Sequence, residues 1–450
     1  MTTGLSYRQH ARATLLLGMP LIGSHLAQFA INLSDAVMLG WYSVDALAAE
    51  VLGGTLWFVL FIVGSGFAWA VMPMVASAQA SGQDTQVRRV TRMGIWASLM
   101  FGVAVLPVMI WSEPLLLVLG QDPGTSTLAA DYLRIVGWSI LPALLVMVLK
   151  SYLAALERTQ VVLWITVLAV GLNIVVNYLL IFGNGGFPEM GVRGAAIASL
   201  CVSVASLLVL MIYVVWATPE HALFQRFWRP DWEAFGQVFR LGWPIGVTSL
   251  AEVALFAASS VMMGWLGTVA LAAHGIALQV TSAIFMIHLG LSNAATVRAA
   301  QAYGRGDVSG VRDGASVVIV MSGMIAALTV VLFLAMPEIL IGLFLNPDEP
   351  ARIEVIAIGT GLLAAAALFQ LVDAGQVMAL GLLRGVQDTR VPMIIAALSY
   401  WVVGVPISYL LGFTFGMGGV GIWLGLAVGL AFAGVFMMAR FWGWSARLGG

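Results

Sequence analysis

Hydrophobic residues fill twelve long stretches of the chain, and the short segments between them carry most of the charged residues. A stretch of about 20 apolar residues is long enough to cross the hydrocarbon core of a bilayer as a helix. The pattern therefore predicts an all-α integral membrane protein with twelve transmembrane helices. The predicted spans lie near residues 14–40, 50–76, 93–112, 132–155, 160–183, 194–217, 241–265, 274–297, 315–337, 357–383, 391–414 and 419–441.

The composition excludes an ordinary soluble protein. Of 450 residues, 61% are hydrophobic and 9% are charged, and the mean hydropathy is +0.99. No P-loop, zinc-protease or glycine-rich dinucleotide motif occurs in a suitable context, and the single cysteine, Cys201, cannot form a disulfide within the chain. We therefore expect neither an enzyme nor a bound cofactor, and no nucleic-acid partner.

The basic residues are unevenly distributed between the two predicted sides of the membrane. When loops are assigned to alternate sides, Arg134, Arg193 and Arg352 fall on one side, and the other 17 of the 20 Lys and Arg fall on the side of the N terminus. Short cytoplasmic loops carry the excess of positive charge. Both termini are thus predicted to be cytoplasmic, in a multi-pass protein of the cell (inner) membrane. The first span is too long for a signal peptide, so we expect none to be cleaved.

The two halves of the chain repeat each other. Residues 17–20 (LGMP) match residues 241–244 (LGWP) at an offset of 224, and residues 79–82 (QASG) match residues 301–304 (QAYG) at an offset of 222. Matches in one order and near one offset, at prolines and in loops, indicate an internal duplication.

Six spans per half is an even number, so both halves would enter the membrane in the same direction. Such parallel repeats are related by an axis along the membrane normal, with substrate sites between or within the two bundles. We predict an N-terminal six-helix bundle at 1–217, a cytoplasmic linker at 218–240 and a C-terminal six-helix bundle at 241–450.

Three carboxylates lie well inside the predicted spans, namely Asp35, Glu252 and Asp373. An ionised side chain at the centre of a bilayer costs roughly 2.5–3.5 kcal/mol on insertion scales. The simplest explanation is that these groups face a water-filled cavity and bind cations.

Asp35 is accompanied by polar residues on two other spans. Asn173 and Asn177 are four positions apart on the fifth span, and Ser199 lies on the sixth. A carboxylate, two amides and a hydroxyl could form an oxygen cage for Na⁺ or a proton relay, since hard cations prefer oxygen ligands. The alternative is that the same residues join helices by hydrogen bonds.

Glu252 and Asp373 lie near the middle of the seventh and tenth spans, and Asp373 shares a helical face with Gln370 and Gln376. Two carboxylates facing one cavity would share a monovalent cation or a proton. The alternative is a buried structural hydrogen bond.

Two further polar residues have competing interpretations. His274 could relay protons, although a packed, hydrogen-bonded histidine is the favoured interpretation. Arg384 lies near an inner span end and is interpreted as an anchor that snorkels to the headgroups.

With these features, the chain resembles the multidrug and toxic compound extrusion (MATE) family, and more narrowly its NorM-type branch. The resemblance covers nearly the whole length and includes the duplicated twelve-span plan. It rests on these segments: Ile31–Asp35 (INLSD), Val37–Gly40 (VMLG), the Pro20/Pro244 pair, Glu252, and above all residues 372–393 (VDAGQVMALGLLRGVQDTRVPM).

The resemblance implies the fold of the MOP superfamily, with two pseudo-symmetric six-helix bundles. It also implies a cation-coupling or substrate site, with possible Na⁺ binding in one of two places. These are Glu252 and Asp373, with Gln376 nearby, or Asp35, Asn173 and Asn177 with the hydroxyl of Ser199.

Two positions depart from the family pattern. Related proteins commonly carry Tyr one turn before the tenth-span aspartate, where this chain has Phe369, which removes a possible oxygen ligand. The sixth-span hydroxyl is usually Thr, whereas this chain has Ser199.

The leading functional hypothesis is a secondary active multidrug efflux antiporter that exports organic cations or zwitterions in exchange for Na⁺ or H⁺. Its expected partners are small cationic or zwitterionic drugs and the lipid bilayer, and we expect a monomer. One alternative is a lipid-linked precursor flippase of the same superfamily, which should display several cationic residues in its cavity. An integral-membrane enzyme or a channel is a further alternative.

Overall fold

The chain folds into twelve long helices in a computed structural model that describes residues 5–348 and 350–448. Each helix coincides with a predicted span and is long and apolar enough to cross a membrane, so the twelve-helix prediction is confirmed. The helices are α1 (Tyr7–Tyr42), α2 (Val44–Ala80), α3 (Asp84–Ile110), α4 (Pro123–Ala155, with a 3₁₀ turn at Gly137–Ser139), α5 (Thr159–Ile181), α6 (Val192–Ala217), α7 (Trp232–Leu266), α8 (Thr268–Gly304), α9 (Val308–Ala335), α10 (Arg352–Gly385), α11 (Arg390–Thr414) and α12 (Gly418–Leu448).

Several helices begin earlier than the apolar stretches do, because side-chain caps satisfy their first backbone N–H groups. At the start of α2, the Ser43 hydroxyl accepts the N–H of Ala46 at 3.0 Å. The same type of cap begins two other helices, with Asp122 before α4 and Asp307 before α9. Because α2 begins at Val44 rather than near residue 50, Glu50 lies nearly two turns inside the helix.

The described residues form two compact units. One consists of Gly23–Gly246, and the other of the residues up to Ile22 together with those from Val247 onward. The division falls inside α1 and α7, two residues after Pro20 and Pro244. Since proline has no backbone N–H, each helix lacks one hydrogen bond next to the division. The domain boundaries derived from the sequence repeat stay a prediction.

The two units differ in which of their helices packs against the most neighbours. In the unit Gly23–Gly246, α2 packs against α3 and α4, while α6 packs against α4 and α5. In the other unit, α10 lies at the centre and packs against α8, α9 and α12, and α11 packs on α12. Asp373 therefore sits on a helix that has neighbours on several sides.

The internal duplication is visible in the turns that end α2 and α8. After α2, the backbone N–H groups of residues 81, 82 and 83 donate to the C=O groups of Ser77, Gln79 and Ala78, respectively. The residues 224 positions later, after α8, form the same three hydrogen bonds. Gly82 and Gly306 have φ of +70° and +69°, a region that glycine adopts without steric cost. The offset of 222 inferred for this turn is therefore wrong. It aligns identical residue types, whereas the backbone aligns Gly82 with Gly306.

The same offset relates two close helix contacts, one within each unit. A Cβ on Gly66 of α2 would lie 2.5 Å from the backbone nitrogen of Gly246 on α7, and a Cβ on Gly290 of α8 would lie 2.6 Å from the backbone nitrogen of Ile22 on α1. Helices in a bilayer associate through van der Waals packing where small residues let the backbones approach. Glycine at positions 66 and 290 thus permits contacts that any side chain would block.

The three basic residues assigned to the outer side all have oxygen partners nearby. Arg193 and Arg134 share Asp131, with N–O distances of 2.6 and 3.1 Å. Arg352 donates to two backbone C=O groups, ten and seven positions before it. Their positive charge is therefore taken up by local hydrogen bonding.

The segment between α6 and α7 is bound to α3. Arg92 donates to the backbone C=O groups of Ala222 and Leu223 at 2.6 and 2.5 Å. Arg89 pairs with Asp231 at 2.5 Å, and its hydrogen bond holds the pKa of Asp231 below the ordinary value. The predicted linker is thus a folded part of its unit.

His221 ties the same segment to α4. It lies outside the spans in the 3₁₀ turn Pro219–His221, is 3% exposed and shares a hydrogen bond between its Nδ1 and the hydroxyl of Tyr152. Burial lowers the pKa of His221 from its ordinary value of 6.5. A neutral imidazole therefore fits this position better than a charged one.

Gly290→Ala should destabilise the protein, because its Cβ would fall on the backbone of α1. We expect a loss of at least about 1–3 kcal/mol, the usual cost of overpacking, measured as a lower melting temperature in detergent. Gly275→Ala on the same helix is the matched control, since nothing lies within 4 Å of its Cβ. Equal melting temperatures for the two variants would contradict the close contact.

Acidification should loosen the segment held by His221. The folded protein binds a proton at His221 more weakly than the unfolded chain does, so its contribution to stability falls as the pH drops below about 6.5. In His221→Gln this titration is absent. Between pH 7.5 and 5.5, the melting temperature should therefore fall less in the variant than in the unmodified protein, and an equal fall would contradict the interpretation.

Candidate functional site

The structure brings Asp35 together with the two amides predicted for it. Asp35 on α1 is 8% exposed, and its Oδ1 accepts the Nδ2–H of Asn173 at 3.0 Å and that of Asn177 at 2.5 Å. The two asparagines lie one turn apart on α5 and are fully buried. We refer to these three residues with Ser34 as the Asp35 cluster.

The amide nitrogens, rather than the amide oxygens, face Asp35. Asn173 Oδ1 accepts the hydroxyl of Ser34 at 2.8 Å and the Nδ2–H of Asn177 at 3.3 Å. Asn177 Oδ1 has no partner in the part of the chain that the structure describes. N–H donors stabilise an ionised carboxylate, so the two amides favour the charged form of Asp35, which burial disfavours. To bind a cation through their oxygens, the amides would have to turn over.

The hydroxyl in this cluster comes from Ser34 instead of Ser199. Ser199 is half-buried on α6, where its backbone C=O accepts the hydroxyl of Ser203 at 2.9 Å. Among the described residues it makes no hydrogen bond to Asp35. Ser34 was overlooked because neighbouring positions on a helix point about 100° apart, yet its side chain reaches across to Asn173.

A second carboxylate near Asp35 was also missed. Glu50 on α2 interacts electrostatically with Asp35, and both interact with Tyr132 on α4. The ring of Tyr132 packs over Gly53, where a Cβ would lie 2.8 Å from it. The predicted span began at residue 50, which placed Glu50 at the membrane surface. The cap at Ser43, visible in the sequence, was the signal that α2 starts earlier.

The other unit contains a cluster centred on Asp373 of α10. Asp373 is 1% exposed, and Gln370 and Gln376 are fully buried about one turn to either side of it. Glu252, half-buried on α7, interacts electrostatically with Asp373. The structure therefore brings together the predicted residues Glu252, Asp373 and Gln376.

Five oxygen atoms of this cluster are buried without a hydrogen-bond partner in the described residues. They are both carboxylate oxygens of Asp373, one of Glu252, and the amide oxygens of Gln370 and Gln376. Buried polar atoms in proteins are normally satisfied. An excess of unpartnered acceptors in one cluster indicates a place for a cation or for protons.

Tyr400 and Arg384 complete this set, which we call the Asp373 cluster. The fully buried Tyr400 hydroxyl accepts the Nε2–H of Gln376 at 2.6 Å. Tyr400 belongs to the π-helical segment Ser399–Gly404 of α11, and such wide turns occur frequently at functional sites. The sequence offered little signal for Tyr400, which lies in an apolar run.

The prediction that Arg384 snorkels to the headgroups is wrong. Its side chain is buried, with the residue 9% exposed, and it interacts electrostatically with Glu252 and Tyr400. A spacing of eleven residues places Arg384 on the same face of α10 as Asp373, which is the signal that could have found it. Arg384 supplies a positive charge next to Glu252.

An aromatic wall lies beside the Asp373 cluster. The ring of Phe369 lies 5.9 Å from that of Phe256 and 5.5 Å from that of Trp423. The indole N–H of Trp423 donates to His274 Nδ1 at 3.1 Å, and His274 Nε2 bonds to the hydroxyl of Ser260 at 3.2 Å. Because an indole can only donate, Nδ1 accepts and the proton of His274 resides on Nε2. This geometry favours the packed interpretation of His274 over the relay.

Comparison with known proteins gives these clusters a family context. The family model described as MatE matches residues 20–179 and 244–410, two segments that begin at Pro20 and Pro244. The chain belongs to the MATE family. The resemblance inferred from the sequence is confirmed, and the two matched segments repeat the offset of 224.

Relatives of this MATE chain are similar over nearly their full length. A probable multidrug resistance protein NorM of Rhizobium meliloti is 47% identical over 438 residues, which cover 97% of this chain and 94% of that protein. A protein of the same name from Agrobacterium fabrum is 44% identical with the same coverage. The multidrug resistance protein NorM of Burkholderia vietnamiensis is 34% identical over 440 residues, with 97% and 94% coverage.

Solved structures of MATE and MOP-superfamily transporters share the fold. A MOP-superfamily transporter from Pyrococcus furiosus superposes with a TM-score of 0.88 at 19% identity, covering 98% of this chain and 97% of that one. A eukaryotic MATE transporter superposes with a TM-score of 0.85 at 19% identity, covering 98% of both. The predicted MATE fold of a multi-pass membrane protein is confirmed, while the roles of the site residues stay predictions.

Removing one amide should destabilise the protein more when Asp35 is charged than when it is neutral. Asn173→Leu should cost about 1.5–3 kcal/mol, the value of a hydrogen bond to an ionised group, measured by denaturant titration in detergent. In an Asp35→Asn background the same change should cost at least about 1 kcal/mol less. The hydrogen bond between Ser34 and Asn173 is lost in both backgrounds, so its contribution cancels when the two costs are compared.

The matched control is Asn32→Leu, at an exposed position on α1, which should change stability by less than about 0.5 kcal/mol. An equal cost of Asn173→Leu in both backgrounds would show that Asn173 does not hold the charge of Asp35.

Proposed function

We propose that the chain is a secondary active multidrug efflux antiporter, which exports organic cations or zwitterions in exchange for Na⁺ or H⁺. Membership of the MATE family and the names of the NorM relatives support multidrug efflux. The observation that carries the exchange is that both carboxylate oxygens of Asp373 are buried inside a span without a partner among the described residues. An anion so placed costs free energy unless a positive species visits it.

Exchange follows from a shared site. A carboxylate that binds either the coupling ion or a cationic drug, and not both, links the two movements. The Asp373 cluster is the proposed location, because five of its oxygens have no donor among the described residues, whereas Asp35 already has two. The membrane potential supplies about 2.3 kcal/mol per charge per 100 mV, and the ion gradient adds its concentration term. The coupling ion is cargo, and we propose no resident cofactor.

The protein is proposed to lie in the cell (inner) membrane with both termini in the cytoplasm. The distribution of basic residues supports this orientation. The proposed partners are small cationic or zwitterionic drugs and lipid, with the chain acting as a monomer.

A flippase for lipid-linked precursors fits the clusters less well. Holding a pyrophosphate requires several cationic donors. The Asp373 cluster has one, Arg384, and two carboxylates oppose it. This charge balance favours a cationic cargo.

Drug efflux from inverted vesicles, under separately imposed Na⁺ and proton gradients, tests the proposal. Glu252→Gln and Asp373→Asn should each reduce gradient-driven efflux at least about tenfold, because the neutral side chain no longer attracts a cation. Asp35→Asn, assayed in parallel, reports on the other cluster. Glu354→Gln, exposed near the start of α10, is the matched control and should retain normal efflux.

Normal efflux in all three cluster variants would refute the assignment. Loss in Asp35→Asn alone would move coupling to the Asp35 cluster.

A further inference from the structure

The segment that joins α6 to α7 contains an arginine in an unfavourable backbone conformation. Arg226 has a φ of +53°, in the left-handed region that favours glycine. Its side chain is exposed and makes no hydrogen bond or ion pair among the described residues. Contacts among these residues therefore do not account for an arginine at this position. Strained residues cluster at functional sites, which points to a partner outside the chain.

A second exposed arginine lies beside it. The backbone N–H of Arg229 donates to the C=O of Arg226 at 3.1 Å, which closes a β-turn at residues 226–229. The two ends of a β-turn lie less than about 7 Å apart. Arg229 is also exposed and has no side-chain partner in the described part of the chain. Residues 226–229, which we call the linker turn, thus carry two neighbouring cationic groups.

The linker turn is held against α3 by Phe227. The indole N–H of Trp96 on α3 donates to the C=O of Phe227 at 3.1 Å, and the rings of the two residues lie 6.2 Å apart. Trp228, the next residue, is 72% exposed. The turn therefore presents an indole and two guanidinium groups to the surroundings from a fixed support.

The acidic residues that follow the turn are neutralised within the protein. Arg89 of α3 binds Asp231 at 2.5 Å and Glu233 at 2.7 Å. The next acidic residue along the segment is Glu220, six positions before the turn. The linker turn therefore keeps a surplus of positive charge, which suits an anionic ligand.

The location of the turn indicates the kind of anion. Because α6 ends at Ala217 and α7 begins at Trp232, the turn joins two spans at one membrane surface. Trp216 and Trp232, at these two helix ends, are exposed. Tryptophan is enriched at the membrane–water interface, and arginine just outside a span attracts anionic headgroups. The phosphate of a lipid is the anion present at this level.

We infer that the linker turn binds the headgroup of an anionic phospholipid, with Arg226 and Arg229 on its phosphate oxygens and Trp228 in the interfacial layer. A planar guanidinium group can donate two parallel hydrogen bonds to a phosphate. A lipid with net negative charge is preferred over phosphatidylcholine, whose choline group carries a compensating positive charge. Such binding does not depend on which ion or drug the protein transports.

Native mass spectrometry of the purified full-length protein in detergent tests this site. Phosphatidylglycerol and phosphatidylcholine with the same acyl chains are added separately, and an apparent dissociation constant is measured for each. Phosphatidylglycerol should bind at least about tenfold more tightly, since two arginines at the surface favour the anion. Equal affinities for the two lipids would overturn the inference.

Arg226→Gln and Arg229→Gln should each weaken phosphatidylglycerol binding about fivefold, the value of one cation near an anionic headgroup. Phosphatidylcholine binding should not change. Arg305→Gln, at an exposed position in the turn after α8, removes the same charge elsewhere and is the matched control. It should leave both affinities unchanged. An equal loss in the control would indicate a general effect of charge and would overturn the assignment to this turn.

Arg226→Gly separates a role in lipid binding from a role in folding. Glycine adopts the observed φ without steric cost, so the melting temperature in detergent without lipid should be unchanged or higher. Phosphatidylglycerol binding should weaken as much as in Arg226→Gln. A lower melting temperature with lipid binding retained would make Arg226 structural and overturn the inference.

A soluble phosphate compound is the alternative ligand. Glycerol 3-phosphate has the same phosphate chemistry without acyl chains, and at equal concentration it should not displace phosphatidylglycerol. Displacement would assign the linker turn to a soluble phosphate and overturn a lipid site.

Discussion

A carboxylate within a hydrocarbon layer must be solvated by protein groups, by water or by a cation, and the rest of this structure is arranged around that constraint. The two units meet it in different ways. Asp35 receives N–H donors from Asn173 and Asn177, so the protein itself replaces water as its solvent. Asp373 receives no such donor in the described residues, and the amides beside it present oxygens instead. The two carboxylates therefore differ in their donors: Asp35 has two amide N–H groups, and Asp373 has none among the described residues.

The duplicated scaffold makes this difference informative. The turns after α2 and α8 have the same hydrogen bonds, and Gly66 and Gly290 make matching close contacts at an offset of 224. These features build the helices and their packing, and they recur because backbone geometry in lipid has few solutions. The charged residues do not recur in the same way. The two halves therefore share their backbone structure and differ in the charged and polar side chains that this structure carries.

The sequence predicted the twelve helices because a long apolar stretch has few other structures available in a membrane. It also predicted Asp35, Asn173, Glu252 and Asp373, since polar groups are conspicuous in such stretches. It failed where a residue's partner depended on tertiary packing. In the sequence, Tyr400 looks like any other tyrosine in an apolar stretch. Only the folded chain shows that it lies in the π-helical segment of α11 and is hydrogen-bonded to Gln376. Arg384 was assigned to the membrane surface, and Glu50 was not recognised as a carboxylate inside a span, because span ends were judged from hydrophobicity. That criterion ignores the cap at Ser43 and the helical face that Arg384 shares with Asp373.

The positions of the carboxylates along their own helices have an electrical consequence. Asp35 lies seven residues before the end of α1, and Glu252 lies fourteen residues before the end of α7. At 1.5 Å per residue, Asp35 lies about 10 Å along the axis from the end of α1, and Glu252 lies about 21 Å from the end of α7. Under the proposed antiport, a cation that reaches Glu252 crosses part of the voltage drop, which is worth about 2.3 kcal/mol per charge per 100 mV over the whole membrane. Binding at this carboxylate would therefore depend on the membrane potential.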